Sequence, residues 1–444
     1  METARGMSLT DSSNPSAPPD SVRNSWQNFA WMSAGRLFRA LLSVTVGAWA
    51  ARYLGPADYG LLNSAQAGVM LLFALTGLGL DSLVRQQLVR ETDRAGAILG
   101  TCIALRALAG LLVYAGLALA TWNTGAARPV WLILGVMLVT HVLMATDFWF
   151  QARLEMRVSA LAQNAAFALS SLLRIGLILG HAPLPWFAGV IVLDGPVVGA
   201  ILLWKFRRKT GARLAWQGDY VRPWLSRCWP LLLANLATAA FTGVNQLLLL
   251  GLGGPADAGR FAAAERVLAL ALFVPVALVT TLIPSFVPAP GRSAATAEHN
   301  VRRALSQSAM LGWSTAAALF ALAPWIVAGL YGPQYAGAES ALRVLALSLL
   351  LNGLGAVRAE WWVAAGWTRR LLVATTLGAL LNALLACWFI PSWGATGAAA
   401  ASIIAATIAF LGSGWLWPDT RPFARWQLAA MLGGGWRHAF KDRP

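Results

Sequence analysis

Long apolar stretches alternate with short polar connections along almost the whole of this 444-residue chain. A hydrocarbon core about 30 Å thick needs about 20 apolar residues per helical crossing, and stretches of that length recur from end to end. They predict an all-α integral membrane protein whose connections are too short to hold a soluble domain. The twelve predicted spans cover residues 26–51, 59–80, 96–121, 129–151, 159–180, 184–204, 224–252, 259–286, 304–330, 339–364, 371–390 and 395–417.

The polar connections form two alternating sets that differ in charge. Cationic loops are retained on the cytoplasmic side of a membrane, and both chain ends belong with the basic set. An even number of spans with both termini cytoplasmic is therefore self-consistent. The basic set holds Arg85, Arg90, Arg94, Arg153, Arg157, Lys205, Arg207, Arg208, Lys209, Arg213, Arg292, Arg302, Arg303, Arg369 and Arg370, and the other holds essentially Arg52, Arg128 and Arg260.

The longest polar connection divides the chain into two blocks of six spans. The turn after span 1 contains Gly55-Pro56-Ala57-Asp58-Tyr59-Gly60, and the turn after span 7 contains Gly254-Pro255-Ala256-Asp257-Ala258-Gly259. A coincidence of turn-forming residues is the simpler explanation, but equivalent positions in the two blocks favour a repeat, parallel in the membrane, with a binding site between the halves. The predicted segments are a disordered cytoplasmic tail (1–24), a six-helix lobe (25–204), a cytoplasmic linker (205–222), a second six-helix lobe (223–417) and a basic cytoplasmic tail (418–444).

Composition agrees with a membrane protein and excludes several other classes. Hydrophobic residues make up 58% of the chain, charged residues 12%, and the mean hydropathy is +0.60. The net charge of +16 comes from the loop clusters, so we expect no nucleic-acid partner. Scattered His and Cys residues and short outer loops predict no metal site, no cofactor and no enzymatic activity.

Arginines inside the predicted spans are the candidate substrate-binding groups. An ionisable residue at this depth needs a partner, a cavity or a route to the interface, and guanidinium binds phosphate in bidentate geometry. Arg36 could instead extend to the membrane surface. The candidates are Arg36, Arg39, Arg174, Arg266 and Arg358.

Four acids lie in the same spans, namely Asp147, Asp194, Glu265 and Glu360. They could pair with the arginines, or they could bind protons or sodium ions. Because the arginines outnumber them, an anionic substrate is favoured over a cationic one.

Several segments, in order, resemble the Wzx-type polysaccharide flippases of the multidrug/oligosaccharidyl-lipid/polysaccharide (MOP) exporter superfamily. They are residues 51–60, Asp147-Phe148-Trp149-Phe150-Gln151-Ala152-Arg153-Leu154-Glu155-Met156, Ala262-Ala263-Ala264-Glu265-Arg266, Ala365-Gly366 and Ile390-Pro391-Ser392-Trp393-Gly394-Ala395-Thr396-Gly397. The resemblance implies two six-helix lobes, as in the drug-exporting branch of the superfamily, around a cationic cavity that opens alternately to each side of the membrane.

The function implied is translocation of undecaprenyl-pyrophosphate-linked oligosaccharide across the bacterial cytoplasmic membrane, for O-antigen or exopolysaccharide biosynthesis. Its partners would be the lipid-linked oligosaccharide, membrane lipids and a polysaccharide polymerase with other assembly proteins. A cation-coupled exporter of small amphiphiles with the same fold is the alternative. Asn245 stands where many relatives have an acid, which argues against ion coupling at that position.

Overall fold

The computed structural model describes residues 19–286 and 294–434, and within them the side chains of all residues except 19–43, 234, 237, 241, 242, 284–286 and 294. This part of the chain is helical. Its α-helices are α1 (Pro19–Thr76), α2 (Asp81–Arg90), α3 (Ala95–Ala120), α4 (Arg128–Gly135), α5 (Met137–Thr140), α6 (Asp147–Ala152), α7 (Met156–Leu179), α8 (Leu184–Thr210), α9 (Val221–Leu248), α10 (Pro255–Ala271), α11 (Phe273–Phe286), α12 (Ala294–Tyr331), α13 (Ala338–Ala346), α14 (Ser348–Ala364), α15 (Thr368–Phe410) and α16 (Arg421–Met431).

The chain is a multi-pass membrane protein. Within the described residues, nine helical segments are long and apolar enough to cross a bilayer. A tenth crossing would come from α9 and the π-helical turn that follows it, whose parts before and after residues 241–242 meet at 54°. All twelve stretches predicted as spans overlap helical segments.

Two of the helices are interrupted at a glycine. Helix α1 has 58 residues, with Gly55 in a non-helical conformation (φ 75°, ψ 168°), and α15 has 43 residues, with Gly394 at φ 52° and ψ −129°. Glycine adopts positive φ without the steric cost that a Cβ brings. Each helix is longer than the roughly 30 Å that one crossing needs, because a helix rises about 1.5 Å per residue.

The repeated turn adopts the same backbone conformation in both halves. Gly254 (φ 88°, ψ 168°) matches Gly55, and in each copy the next residue is a proline that opens a helix. Gly332 (φ 82°, ψ 177°) before Pro333 is a third instance that the sequence comparison of the two blocks missed. Proline is favoured at this first helical position because its missing N–H would have no helical partner there.

The buried clusters show where the two halves join. Residues Ala48, Ala51 and Tyr59 of α1 are buried with residues of α10, α12, α13 and α15. Conversely, Trp224 and Cys228 at the start of α9 are buried with residues of α2, α3 and α8. The first helix of each block therefore packs partly into the core of the other block.

The connection between the blocks is packed against α3. Helix α8 continues to Thr210, inside the predicted linker, and the chain then runs across Gly96 and Gly100. A Cβ at Gly100 would lie 2.2 Å from the Ala215 carbonyl oxygen, so the two backbones touch. Gln217 N also donates to Thr101 Oγ1 (2.9 Å). We call residues 211–217 the strap.

Helical structure extends into both segments that were expected to be tails. Helix α1 begins at Pro19, within the segment expected to be a disordered tail, while residues 1–18 lie outside the described part. The segment expected to be a basic C-terminal tail contains the helix α16, whose residues Phe423 and Ala430 are buried against α11, α12 and α14. An apolar stripe on an otherwise polar helix explains this packing.

Candidate functional site

The two repeated turns touch each other at one end of the molecule. A Cβ at Gly60 would lie 1.8 Å from the Pro255 carbonyl oxygen, and a Cβ at Gly259 would lie 1.9 Å from the Pro56 carbonyl oxygen. Each glycine thus faces the proline of the other copy, as an approximate two-fold axis requires. Only a residue without a side chain permits this approach.

Polar contacts at the same end join the halves further. Tyr335 Oη donates to the Ala51 carbonyl oxygen (2.9 Å), and Gln334 Nε2 donates to the Arg52 carbonyl oxygen (2.7 Å). The Arg52 guanidinium donates to the carbonyl oxygens of Ala328 and Gly329, near the carboxyl end of α12. We call residues 51–60, 254–260 and 328–335 the sealed end.

A cavity of about 500 Å³ lies between the halves, next to the sealed end. Asn63 and Met70 are 3 and 10 residues beyond Gly60 on α1, and Arg266 is 7 beyond Gly259 on α10. At about 1.5 Å per residue, the cavity spans depths of about 5 to 15 Å, which is close to the middle of a bilayer. Its walls are Val44, Asn63, Gln66, Ala67, Met70, Gly243, Gln246, Ala262, Glu265, Arg266, Ala269 and Leu270.

The walls combine one cation, one anion and three carboxamides. Met70 and Glu265 are exposed, so the cavity communicates with its surroundings. Gln246 Nε2 donates to Ser64 Oγ (3.1 Å) and to the Ala258 carbonyl oxygen (3.0 Å), while its Oε1 accepts no hydrogen bond and is buried. These groups can recognise a ligand by hydrogen bonds as well as by charge.

Arg266 is held in place by α1. A Cβ at Gly47 would lie 2.5 Å from a terminal nitrogen of the guanidinium, so the guanidinium occupies the space that a side chain at Gly47 would fill. The Tyr59 ring lies 5.8 Å from Arg266 Cζ, within the range of a cation–π contact. Arg266 is therefore positioned by the opposite half while it lines the cavity.

Two further predicted residues lie near Arg266. Arg174 lies within electrostatic range of Asp194, Arg266 and Tyr59, and Asp194 forms a hydrogen bond with Ser170. The structure thus brings together four of the predicted site residues, Arg174, Asp194, Glu265 and Arg266. Opposite charges in this group, Asp194 with Arg174 and Glu265 with Arg266, lie within electrostatic range of each other.

Arg358 lies elsewhere. It is 1% exposed, donates to the Ala409 carbonyl oxygen and to Ser413 Oγ, and lies between the rings of Trp362 (4.7 Å) and Phe410 (5.3 Å). This side chain packs α14 against the end of α15, while its buried Nε has no hydrogen-bond partner among the described residues. The structure does not bring it to the cavity.

The other predicted acids are not in the cavity wall. Asp147 accepts hydrogen bonds from Gln151 Nε2 (2.7 Å) and Ser159 Oγ, rather than pairing with an arginine. Glu360 is half-buried on α14, and no ion pair joins it to Arg358 among the described residues. Arg36 and Arg39 lie outside the residues whose side chains are described.

Asn245 belongs to a neutral hydrogen-bond network. Its Nδ2 donates to Ser402 Oγ (2.7 Å), and its Oδ1 accepts from Asn382 Nδ2 (3.1 Å). The side chain therefore holds α9 to both parts of α15. In the part of the chain that the structure describes, no group of three His, Cys, Asp or Glu side chains could hold a metal ion.

Sequence reasoning missed several cavity residues. Asn63 and Gln66 are three apart in an apolar span, a polar pair that marks one helix face. Tyr59 was visible within the repeated turn, although its contact with Arg266 was not. Gly47 carried no signal at all, because a helical glycine gains meaning only from what packs on it.

Comparison with known families gives one match. The model of a family described as polysaccharide biosynthesis protein matches residues 25–289. Among curated proteins, none matches the chain by sequence.

Solved structures of similar fold are membrane transporters. One is described as the lipid II flippase MurJ in an inward closed conformation; it has 16% identity, a TM-score of 0.67, and covers 93% of this chain and 94% of its own. Another is a multidrug resistance MATE family transporter of the MOP superfamily in its inward-facing conformation, with 18% identity, a TM-score of 0.64, and coverage of 89% and 95%. The outward-facing conformation described for a MATE family transporter has 18% identity, a TM-score of 0.58, and coverage of 89% and 93%. At these identities the likeness concerns the fold.

Proposed function

Because the chain belongs to the polysaccharide biosynthesis protein family, and its fold is that of MOP superfamily transporters, we propose that it is a flippase for lipid-linked oligosaccharides. Its substrate would be an undecaprenyl-pyrophosphate-linked oligosaccharide of O-antigen or exopolysaccharide biosynthesis, turned over across the bacterial cytoplasmic membrane. The observation that carries the proposal is a cavity between the two halves with Arg266 in its wall.

The proposed topology has twelve spans with both termini cytoplasmic. The nine helical segments and the bent α9 give ten crossings. The breaks at Gly55 and Gly394 would each divide a long helix into two crossings, which adds two and gives twelve. With the basic connections on the cytoplasmic side, the sealed end faces outward.

We infer that in this orientation the structure is an inward state that is closed at its outer end. Twin glycine contacts close the outer end, as expected of an inward state, and the two neighbours with the higher TM-scores reported above are described as inward closed and inward-facing. The similarity to the inward-facing MATE structure, at a TM-score of 0.64 against 0.58 for the outward-facing one, supports this assignment. Alternating access would then require the two repeated turns to separate while the inner ends of the lobes close.

A charged headgroup explains the chemistry of the cavity. Moving a pyrophosphate through hydrocarbon requires a cation that remains charged when it is desolvated, and guanidinium meets this need. Arg266 would contact the pyrophosphate, supported by Arg174. Asn63, Gln66 and Gln246 would hydrogen-bond the first sugar. Arg39 is five residues before the cavity residue Val44 on α1, so Arg39 and Arg36 remain proposed members of the site.

Glu265 supports a second candidate function. An acid exposed in the same cavity could bind a cationic amphiphile or a coupling ion, as an exporter of small amphiphiles would require. The two functions differ in which charge carries the substrate. A flippase needs Arg266, whereas an exporter of cations needs Glu265.

The test is translocation by purified protein in vesicles that contain a defined lipid-linked oligosaccharide. We expect R266A to abolish transport and R266K to restore only part of it, because an ammonium cannot bind phosphate in bidentate geometry. R343A is the matched control, since Arg343 is paired with Glu339 (2.9 Å) and does not line the cavity. Full transport by R266A at a normal protein level would refute the proposal, and loss of drug efflux in E265Q with normal glycan transport would favour the exporter.

A further inference from the structure

Helix α16 follows the last long helix and is firmly packed on the second block. Gln427 Nε2 donates to the Leu354 carbonyl oxygen (3.2 Å), and Trp313 Nε1 donates to the Met431 carbonyl oxygen (3.0 Å). Phe423, Ala424, Gln427 and Ala430 form the buried side of the helix. These contacts fix both the position and the rotation of α16 on α12 and α14.

The opposite side of α16 has an unusual composition. Arg421, Arg425, Leu428 and Leu432 follow one another at spacings of four, three and four residues, so they form one stripe, and all four are exposed. Leu428 is 42% exposed and Leu432 is 75% exposed. Two cations at one end of the stripe are thus followed by two apolar side chains at the other.

The positive charge of this stripe is not neutralised by the protein. The nearby carboxylate of Asp419 is engaged by Arg370 (2.8 Å). Among the described residues, no carboxylate forms an ion pair with Arg421 or Arg425; Arg421 instead contacts the Trp415 carbonyl oxygen (3.4 Å). Both guanidinium groups therefore have free donors that face away from the core.

The position of α16 along the helices is that of a membrane surface. The second part of α15 and the turn after it run from Ala395 to Trp415, about 20 residues or 30 Å, which is one crossing of the hydrocarbon. Helix α16 begins six residues after Trp415, and the exposed Trp415 and Leu416 lie at this boundary. Two other arginines lie at this end of the second block: Arg302 is 4.4 Å from the Trp426 ring of α16, and Arg370 is paired with Asp419.

We propose that α16 is a membrane-surface helix whose stripe binds anionic phospholipids of the surrounding bilayer. Arg421 and Arg425 would bind the headgroup phosphates, and Leu428 and Leu432 would insert at the start of the acyl chains. Amphipathic helices bind membranes through this combination of apolar burial and attraction to anionic lipid. Each arginine is expected to raise the affinity for an anionic lipid about fivefold.

The consequence is an anchor for one lobe. Because α16 contacts both α12 and α14, lipid bound to the stripe would hold the inner end of the second block at the membrane surface. The first block would then do most of the moving at that surface during transport. This anchoring does not depend on which substrate occupies the cavity.

The depth of the stripe is measured by spin labelling of L428C and L432C in full-length protein reconstituted with phosphatidylcholine and phosphatidylglycerol. Cys387 is exposed and is replaced (C387S), while Cys102 and Cys228 are buried and are retained. We expect the labels to be accessible to oxygen and shielded from a water-soluble nickel chelate. The control label is D219C in the exposed polar turn before α9. Labels at 428 and 432 as accessible to nickel as the control would overturn the proposal.

The lipid preference is measured by native mass spectrometry of bound phosphatidylglycerol against phosphatidylcholine. The double variant R421Q/R425Q should weaken phosphatidylglycerol binding at this site by about 25-fold, the product of two fivefold effects. The matched control, R207Q/R208Q, removes two exposed arginines at the end of α8 in the other block. Unchanged binding in R421Q/R425Q, or an equal loss in the control, would show that no specific site exists on α16.

Discussion

The contact between the two repeated turns makes a quantitative prediction for Gly60→Ala. The added methyl carbon would lie 1.8 Å from the Pro255 carbonyl oxygen, whereas ordinary carbon contacts begin at about 3.4 Å. Because the obstacle is backbone, no side-chain rotation relieves it. The halves must separate at the sealed end by more than 1 Å, by an order-of-magnitude reading of the overlap.

The size of the effect follows from two opposing contributions. Overpacking costs about 1–3 kcal/mol, while replacing a helical glycine with alanine gains up to about 1 kcal/mol. The net destabilisation of the sealed conformation is then about 1–2 kcal/mol, which raises the population of states open at this end about tenfold. Gly259→Ala should have the same effect, because its Cβ would lie 1.9 Å from the Pro56 carbonyl oxygen.

The assay uses S64C, a nearly isosteric change at a buried position on α1 next to the sealed end, in a C387S background. A membrane-impermeant maleimide added on the sealed side should label the introduced thiol about ten times faster in G60A than in the parent. G116A is the matched control, since a Cβ there meets nothing within 4 Å. The double variant G60A/G259A should destabilise the sealed conformation by less than the sum of the two single changes. The reason is that the first methyl group already separates the turns and makes space for the second. Labelling of G60A at the control rate, or additive effects in the double variant, would refute the twin contact.

Three further changes test separate features. G47A should preserve helix α1 and the protein level but displace the Arg266 guanidinium, whose terminal nitrogen lies 2.5 Å from the new Cβ. Transport in vesicles should then fall at least tenfold, and normal transport would refute the positioning of Arg266 by α1. R358A should lower the free energy of unfolding by about 3 kcal/mol, because a buried charged hydrogen-bonding group is lost, while transport per folded molecule should stay normal. A transport defect without a shift in melting temperature would instead indicate that Arg358 binds the substrate. G100A should release the strap from α3 and make trypsin cleavage at Arg213 several-fold faster, as followed on a gel. The control G189A, whose added Cβ has no neighbour within 4 Å, should not change the rate, and equal cleavage of the two variants would contradict the packed strap.

The membrane spans were predictable because hydropathy is a local property. The solvent of a span is the bilayer, so about 20 apolar residues specify a crossing whatever surrounds it. The turn sequence at 55–60 and 254–259 was likewise readable, because glycine at positive φ followed by proline is dictated by local sterics. The sequence also pointed to Arg174, Asp194, Glu265 and Arg266, which the structure brings close together.

The functions of single polar residues were not predictable in the same way. A helix that is apolar on all sides has no marked face, so its rotation, and hence the direction of a lone arginine, depends on its neighbours. Arg266 and Arg358 look alike in the sequence, yet Arg266 lines the cavity while Arg358 lies between Trp362 and Phe410. Contacts between distant segments separate them.

The same distinction holds for the chain as a whole. Local composition and turn chemistry alone specify a helical, multi-pass membrane protein, and they predict two related blocks with basic loops on one side. Tertiary packing decides that Gly60 meets Pro255, that the strap lies on α3, and that α16 is docked on the second block. These contacts join segments about 70 to 200 residues apart in the chain. Their free energies arise from shape complementarity that no local pattern encodes.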